Sequence, residues 1–290
     1  YPDVDLLYMT ALQLTAETAG WPLSAVLLPD GKPVFTASYM RPAEFQSILL
    51  QAKNYWLGQR DGLIAHGNDL SEMVESYMNL NMEAEGLDAA MASSAMQAIV
   101  ATFDKKYGGM GGAPKFPREP TLMWMLDVYE ATGDETIKQA LVTTLDKMQG
   151  GGIHDQIGGG FHRYAVDRKW VVPHFEKMLY NQAQLLEVYA RGYFLFGDQN
   201  YKRTAERLVA FLTRELQNPE TGLFYAGLDA DSEGGEGIFY LWSEAEVAEV
   251  LGQDAAPIST ALDIDDHFYD LDEKSVPTFT DPTNDPALLD

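Results

Sequence analysis

The stretch Tyr129–Asp134, Tyr-Glu-Ala-Thr-Gly-Asp, returns later in the chain as Tyr193–Asp198, Tyr-Phe-Leu-Phe-Gly-Asp. In both, the glycine suits the left-handed end of one helix and the aspartate that follows suits the cap of the next. Each copy therefore reads as a tight joint between two helices. Outward from the joints, apolar residues recur at helical spacing and predict helices near 70–80, 87–103, 119–132, 134–149, 174–196, 199–216 and 243–251. Three Gly-rich loops alternate with the joints: Tyr107–Pro117, Gly150–Tyr164 and Thr221–Gly237. The repeating unit is a helical hairpin with tight joints at one end and long polar loops at the other. Hairpins repeated in this way can close into an α/α toroid whose long loops line one mouth, and such loops are where function is usually carried.

The first sixty residues follow another pattern. Asp3–Thr18 has helical spacing, and Gly20-Trp21-Pro22 breaks it. Leu23–Leu28 and Val34–Tyr39 read as strands joined by the turn Pro29-Asp30-Gly31-Lys32, and Pro42 opens a helix to about Leu57. Helix, X-Pro, strand, turn, strand, helix is the order of the second half of a thioredoxin fold. Trp21-Pro22 stands where that fold places a cis-proline. The half that would hold a Cys-x-x-Cys is absent. The expected division is 1–60 as the C-terminal half of a thioredoxin-like domain, 61–86 as a linker and connecting helix, and 87–290 as the N-terminal part of a toroid.

Of 290 residues, 20 are basic and 44 acidic, for a net charge of −24. Nucleic acid and anionic membrane both require a basic footprint, so neither is expected as a partner. No apolar run approaches the roughly 18 residues of a membrane span. Hydrophobic residues make up 46%, enough for a large core. There is no cysteine, which fits a reducing compartment, and a cytoplasmic location is the expectation. The chain opens YPDVDLLYMTA without an initiator Met and closes SVPTFTDPTNDPALLD without a capping helix. Both ends are expected to be cut from a longer protein.

Four segments, Ala19–Pro42, Gly108–Pro117 (GGMGGAPKFP), Gly150–Leu186 and Gly227–Trp242 (GLDADSEGGEGIFYLW), together resemble one family. It is the thioredoxin-domain protein family that includes spermatogenesis-associated protein 20 and the bacterial protein YyaL. The resemblance implies a thioredoxin-like domain followed by an (α/α)6 toroid of the six-hairpin glycosidase type, shared with N-acylglucosamine 2-epimerase and several glycoside hydrolases. The fold class expected is mainly α: a partial thioredoxin-like α/β domain, then an (α/α)6 toroid that is incomplete in this chain. Fold does not fix the reaction.

The segment Gly150–Tyr180, GGGIHDQIGGGFHRYAVDRKWVVPHFEKMLY, gathers six glycines and three of the five histidines. His162 and His174 are the sharpest candidates for acid–base work, the role that the resemblance to sugar epimerases implies. His174 follows Pro173 and is expected in the first turn of a helix, whose field would keep the imidazole neutral. Each histidine could instead serve only to bond loop backbone. Glu176, two residues on, is expected to point away from His174 and to share a helix face with Tyr180. It is either a site carboxylate or a partner for Arg163 or Lys177. Asp155 and Arg163 could clamp a substrate or bridge each other.

In the acidic loop, Asp229, Asp231, Glu233 and Glu236 offer the paired carboxylates that glycoside hydrolysis needs, or hydroxyl-binding groups, or merely an acidic surface. The loop is similar to a calcium loop, but position twelve counted from Asp229 is Tyr240, so no metal is expected. Lys115 could hold an anion. Tyr164, Trp170 and Tyr180 could contact a sugar ring. No cofactor motif is present.

Two functions compete. One is a carbohydrate-active or sugar-binding protein, working by epimerase-like acid–base chemistry or by glycoside hydrolysis. The other is a thiol-linked or non-enzymatic protein that receives a peptide or thiol partner at the thioredoxin-like domain.

Overall fold

The structure is a computed structural model that describes residues 1–16, 19–79, 89–264 and 274–279. The end of the first expected helix, the start of the helix expected from 87 and most of the C-terminal Pro/Asp-rich segment lie outside the described residues. The chain divides into two compact units, Tyr1–Gly86 and Leu87–Asp290. It is mainly α.

The first unit runs α1 (Pro2–Thr15), β1 (Ser24–Leu27), β2 (Pro33–Ala37), α2 (Pro42–Gly58) and α3 (Arg60–Met78). The strands form an antiparallel hairpin in which Ser24 faces Ala37 and Val26 faces Phe35. Gly31 supplies the positive φ (+89°) of the turn. Trp21–Pro22 is cis. The first turn of α2 is fixed by Pro42 and by the Glu44 carboxylate, which accepts from the Arg41 N–H at 3.0 Å. α3 packs its buried Leu70 and Val74 against Ala11 of α1. It also leans on the hairpin at Gly67, where a Cβ would stand 2.8 Å from the Leu28 side chain.

The second unit contains α4 (Ala89–Ala101), α5 (Glu119–Thr132), α6 (Glu135–Gly150), α7 (Leu179–Phe196), α8 (Gln199–Phe211), α9 (Glu244–Leu251) and α10 (Ala255–Ala261). Both joints take the form their sequence dictates. Gly133 and Gly197 adopt φ of +65° and +73°, and each N–H closes onto the carbonyl of Tyr129 or Tyr193 at 2.8 Å. Asp134 then accepts from the N–H groups of Thr136 and Ile137, and Asp198 from that of Asn200. The hairpins α5–α6 and α7–α8 share one core, built on Leu122, Leu126, Leu141, Leu145, Leu185 and Leu208. Each such side chain contributes about 1.5–3 kcal/mol through removal from water. The hydroxyl of Tyr189 donates to the Leu145 carbonyl at 3.0 Å, tying the two hairpins together.

The long loops carry short strand pairs: β3 (Tyr164–Ala165) with β4 (Pro173–His174), β5 (Lys177–Met178) with β6 (Gly227–Leu228), and β7 (Asp231–Ser232) with β8 (Gly235–Glu236). The helix expected from 174 therefore begins only at Leu179. Residues 173–178 are extended because two ladders hold them: His174 faces Tyr164, and Lys177 faces Leu228.

Candidate functional site

The glycines of the central loop let the protein approach itself. A Cβ on Gly151 would lie 2.6 Å from the Trp170 carbonyl, and one on Gly160 (φ +80°) would lie 2.7 Å from the Phe211 ring. Into this compact loop are folded two ion pairs with buried lysines. Lys177 donates to Asp155 at 2.6 Å and to the Gly159 carbonyl at 2.9 Å, with its ammonium 4.7 Å from both the Phe211 and Tyr240 ring centres. Burial alone would raise the Asp155 carboxyl. The Lys177 ammonium, His162 and the backbone donors outweigh it and draw the carboxyl down to about 2. Burial pulls Lys177 below the usual lysine range.

Lys115 is the second buried lysine. It gives its ammonium to Asp104 (2.9 Å) and to the Gly108 carbonyl (2.8 Å). Arg168 grips the same Asp104 through Nε and Nη2. Lys115 therefore has its donors engaged inside the protein. Trp170, buried with φ +70°, donates its indole N–H to Tyr107 and locks the first Gly-rich loop to the second. His162 is 1% exposed, with Nδ1 3.0 Å from the Phe175 carbonyl and its ring edge-on to Phe175 and Tyr240. Burial and the nearby Lys177 press its pKa down to about 3, so the imidazole is neutral.

The accessible part of the loop cluster centres on His174. Phe116, 42% exposed, stacks on Tyr164 at 4.5 Å, and Tyr164 stacks on His174 at 5.0 Å. Nδ1 of His174 lies 2.7 Å from Glu236 Oε1, and Nε2 lies 3.4 Å from Glu176 Oε2. Arg163 donates to that Glu176 oxygen at 3.0 Å and to the Tyr180 hydroxyl at 3.2 Å. Burial, with Glu236 next, lifts Tyr164 above the usual phenol range. Because 173–178 is extended, residues two apart share a face. Glu176 thus meets His174 instead of pointing away, as a helix there would have required. Asp155 pairs with Lys177, leaving Arg163 to Glu176. In the acidic loop, Asp229 accepts from the Asp231 N–H, Asp231 faces Glu236 across β7–β8, and Glu233 sits exposed at the turn with φ +53°. Among the described residues only Glu236 of these four bonds to His174.

Asp104, Arg168, Glu119, Asn181 and Gln182 also build the cluster without a motif to mark them, and Lys177, expected as a possible partner of Glu176, pairs with Asp155 instead. Gln182 clamps both backbone groups of Phe161, at 2.8 and 2.6 Å. Glu119, at the start of α5, accepts from Asn181 at 2.6 Å. In the sequence Lys177 stands beside Glu176, which points to a pair between those two rather than to the bond with Asp155.

Among the described residues no helix is long and apolar enough to cross a membrane. Residues 1–75 match the Thioredox_DsbH family, described as "Protein of unknown function, DUF255". The chain is 34% identical to spermatogenesis-associated protein 20 of Rattus norvegicus over 280 residues, covering 90% of this chain and 35% of that protein. It is 34% identical to the Homo sapiens protein of the same name over 269 residues, covering 86% and 34%. The chain therefore spans about a third of the length of these curated relatives, and the resemblance carried by its motifs stands. Solved structures with partial likeness include cellobiose 2-epimerase from Spirochaeta thermophila (16% identity, TM-score 0.42, 50% of this chain and 41% of that one). Another is a family 76 glycoside hydrolase from a bovine Bacteroides thetaiotaomicron strain (19% identity, TM-score 0.41, 50% and 32%).

Proposed function

We propose that the cluster around His174 is a carbohydrate site that performs proton transfer on a sugar, at the loop end of an (α/α)6-type toroid whose first part is 87–290. The observation that carries this reading is the accessible stack Phe116–Tyr164–His174, rimmed by Glu236, Glu176, Arg163 and Tyr180. Flat aromatic faces beside a few convergent polar groups are the make-up of a small-molecule site. His174 is the acid–base group. Glu236 at Nδ1 orients the ring, as a carboxylate partner does in a catalytic triad. Glu176, anchored by Arg163, faces the other nitrogen. His162 serves this site as support, because its imidazole is buried and bonded to the Phe175 carbonyl. Asp229, Asp231 and Glu233 contribute negative charge to the rim. The carboxylates set around His174 favour an uncharged or amine-bearing sugar.

The reaction is tested by incubating the full chain with reducing mono- and disaccharides in D2O. Deuterium entering the carbon beside the carbonyl, and its loss in His174→Ala, is the result expected for epimerase-type chemistry. New reducing ends without deuterium, lost in Glu236→Gln and Glu176→Gln, would place the chemistry on the carboxylates instead.

A second reading draws on the first unit. It contains an apolar cavity of about 400 Å³ lined by Val34, Phe35, Ile48, Tyr55, Leu63 and His66 among others. An extended peptide partner would seat its apolar side chains there, in the part of the chain that matches the thioredoxin-type family. A Tyr55→Arg variant that loses peptide binding while every sugar response is absent would favour this reading.

A further inference from the structure

Glu119 and Asn181 form a buried side-chain pair next to the His174 cluster. Glu119 and Asn181 are 5% and 3% exposed. Asn181 Nδ2 donates to Glu119 Oε1 at 2.6 Å, while Asn181 Oδ1 is buried with no hydrogen-bond partner among the described residues. Leaving a buried acceptor unmet costs about 1–3 kcal/mol. An ionised Glu119 offers only acceptors and cannot meet it. A protonated Glu119 carries an O–H, the donor that the pair lacks. An end-for-end turn of the amide calls for the same proton. Oδ1 would then stand 2.6 Å from Oε1, and only a shared proton makes that approach favourable.

We propose that Glu119 is a neutral carboxylic acid at neutral pH and a positioning residue of the site: its proton holds Asn181, and with it the first turn of α7. Tyr180 leaves that same turn toward Arg163, and Phe116, three residues before Glu119, carries the outer face of the aromatic stack. The acid–amide pair thus fixes the two chain segments that bracket the cluster.

The charge environment agrees. The ion pairs that join α5 to α7, Arg191 with Asp127 and Glu130, lie eight and eleven residues further along α5. Among the described residues, no charged side chain of α5, α6 or α7 is bonded to Glu119, and burial raises its carboxyl above the usual range.

Infrared spectroscopy of the full chain labelled with carboxyl-13C glutamate reads the proton directly. The expected result is a protonated-glutamate carbonyl band at pH 7 that disappears in Glu119→Gln and persists in Glu176→Gln. Urea unfolding across pH gives a second readout. A folded carboxyl raised above 4.5 keeps its proton while the unfolded one loses it, so stability falls as pH rises from about 4.5 until the folded group ionises. In that window the unfolding constant of the wild type should climb up to about tenfold per pH unit relative to Glu119→Gln, whose amide does not titrate. A folded wild type with every glutamate ionised at pH 7, or parallel stability curves for the two proteins, would overturn the proposal. The overturning infrared result, every glutamate ionised in the wild type, is read without any variant, so a Glu119→Gln chain that failed to fold would leave the proposal falsifiable. Asn181→Ala, which removes the partner and should weaken the band, then supplies the assignment.

Discussion

Lys177 and Asp155 meet at 2.6 Å inside the central loop, Lys177 fully buried and the Asp155 side chain 11% exposed. Removing one member strands the other, so Lys177→Met or Asp155→Asn should each cost about 3–5 kcal/mol, read by urea denaturation. Replacing both by apolar residues should recover much of that loss. The histidines set the acid limb. His154 and His162 are both held near a pKa of about 3 by burial, far below the ordinary 6.5. They stay neutral in the folded chain while the unfolded chain takes up protons. Their contribution is fully present above pH 6.5 and is lost as pH falls toward 3, at about 1.4 kcal/mol per pH unit per histidine. His162→Asn should flatten that slope; an unchanged slope would contradict the buried, neutral assignment. The chemistry-bearing residue types were legible in Gly150–Tyr180, but their pairing was not. Which lysine meets which aspartate depends on contacts between loops far apart in sequence, as Arg168 with Asp104 shows.

At the scale of elements, the two Gly-Asp joints carry the hairpins. Asp134→Ala removes the acceptor for two N–H groups of α6 and should cost about 0.5–2 kcal/mol in thermal or urea unfolding, with the cooperative transition kept. Leu145→Ala, in the core shared by both hairpins, should cost about 2–5 kcal/mol. The joints could be read from sequence because glycine's positive φ and aspartate's cap are local properties. The start of α7 could not. Apolar spacing runs unbroken from Val171 through Leu179, yet ladders to Tyr164 and Leu228 hold 173–178 extended. That one change of local structure turned Glu176 from a residue facing away from His174 into its neighbour.

At the scale of the molecule, the chain carries a net charge of −24, and the site itself bears Glu176 and Glu236. Anionic sugars such as uronates should bind more weakly than neutral sugars of the same size, and the gap should narrow as salt rises. Equal affinity at low salt, measured by titration calorimetry, would contradict the proposed charge selection. The change of pattern near residue 60 was visible in the sequence because strands with turns and repeated helical hairpins leave different periodicities, while the compact units divide at Gly86 and Leu87, with α3 in the first of them.

The most direct test is the thermal shift of the full chain across a panel of neutral mono- and disaccharides, repeated with His174→Ala, Tyr164→Ala and Asp229→Asn. A shift for one sugar class that vanishes in the first two variants and survives in the third is the result predicted. No shift with any sugar, or a shift indifferent to His174 and Tyr164, would contradict a carbohydrate site on this cluster.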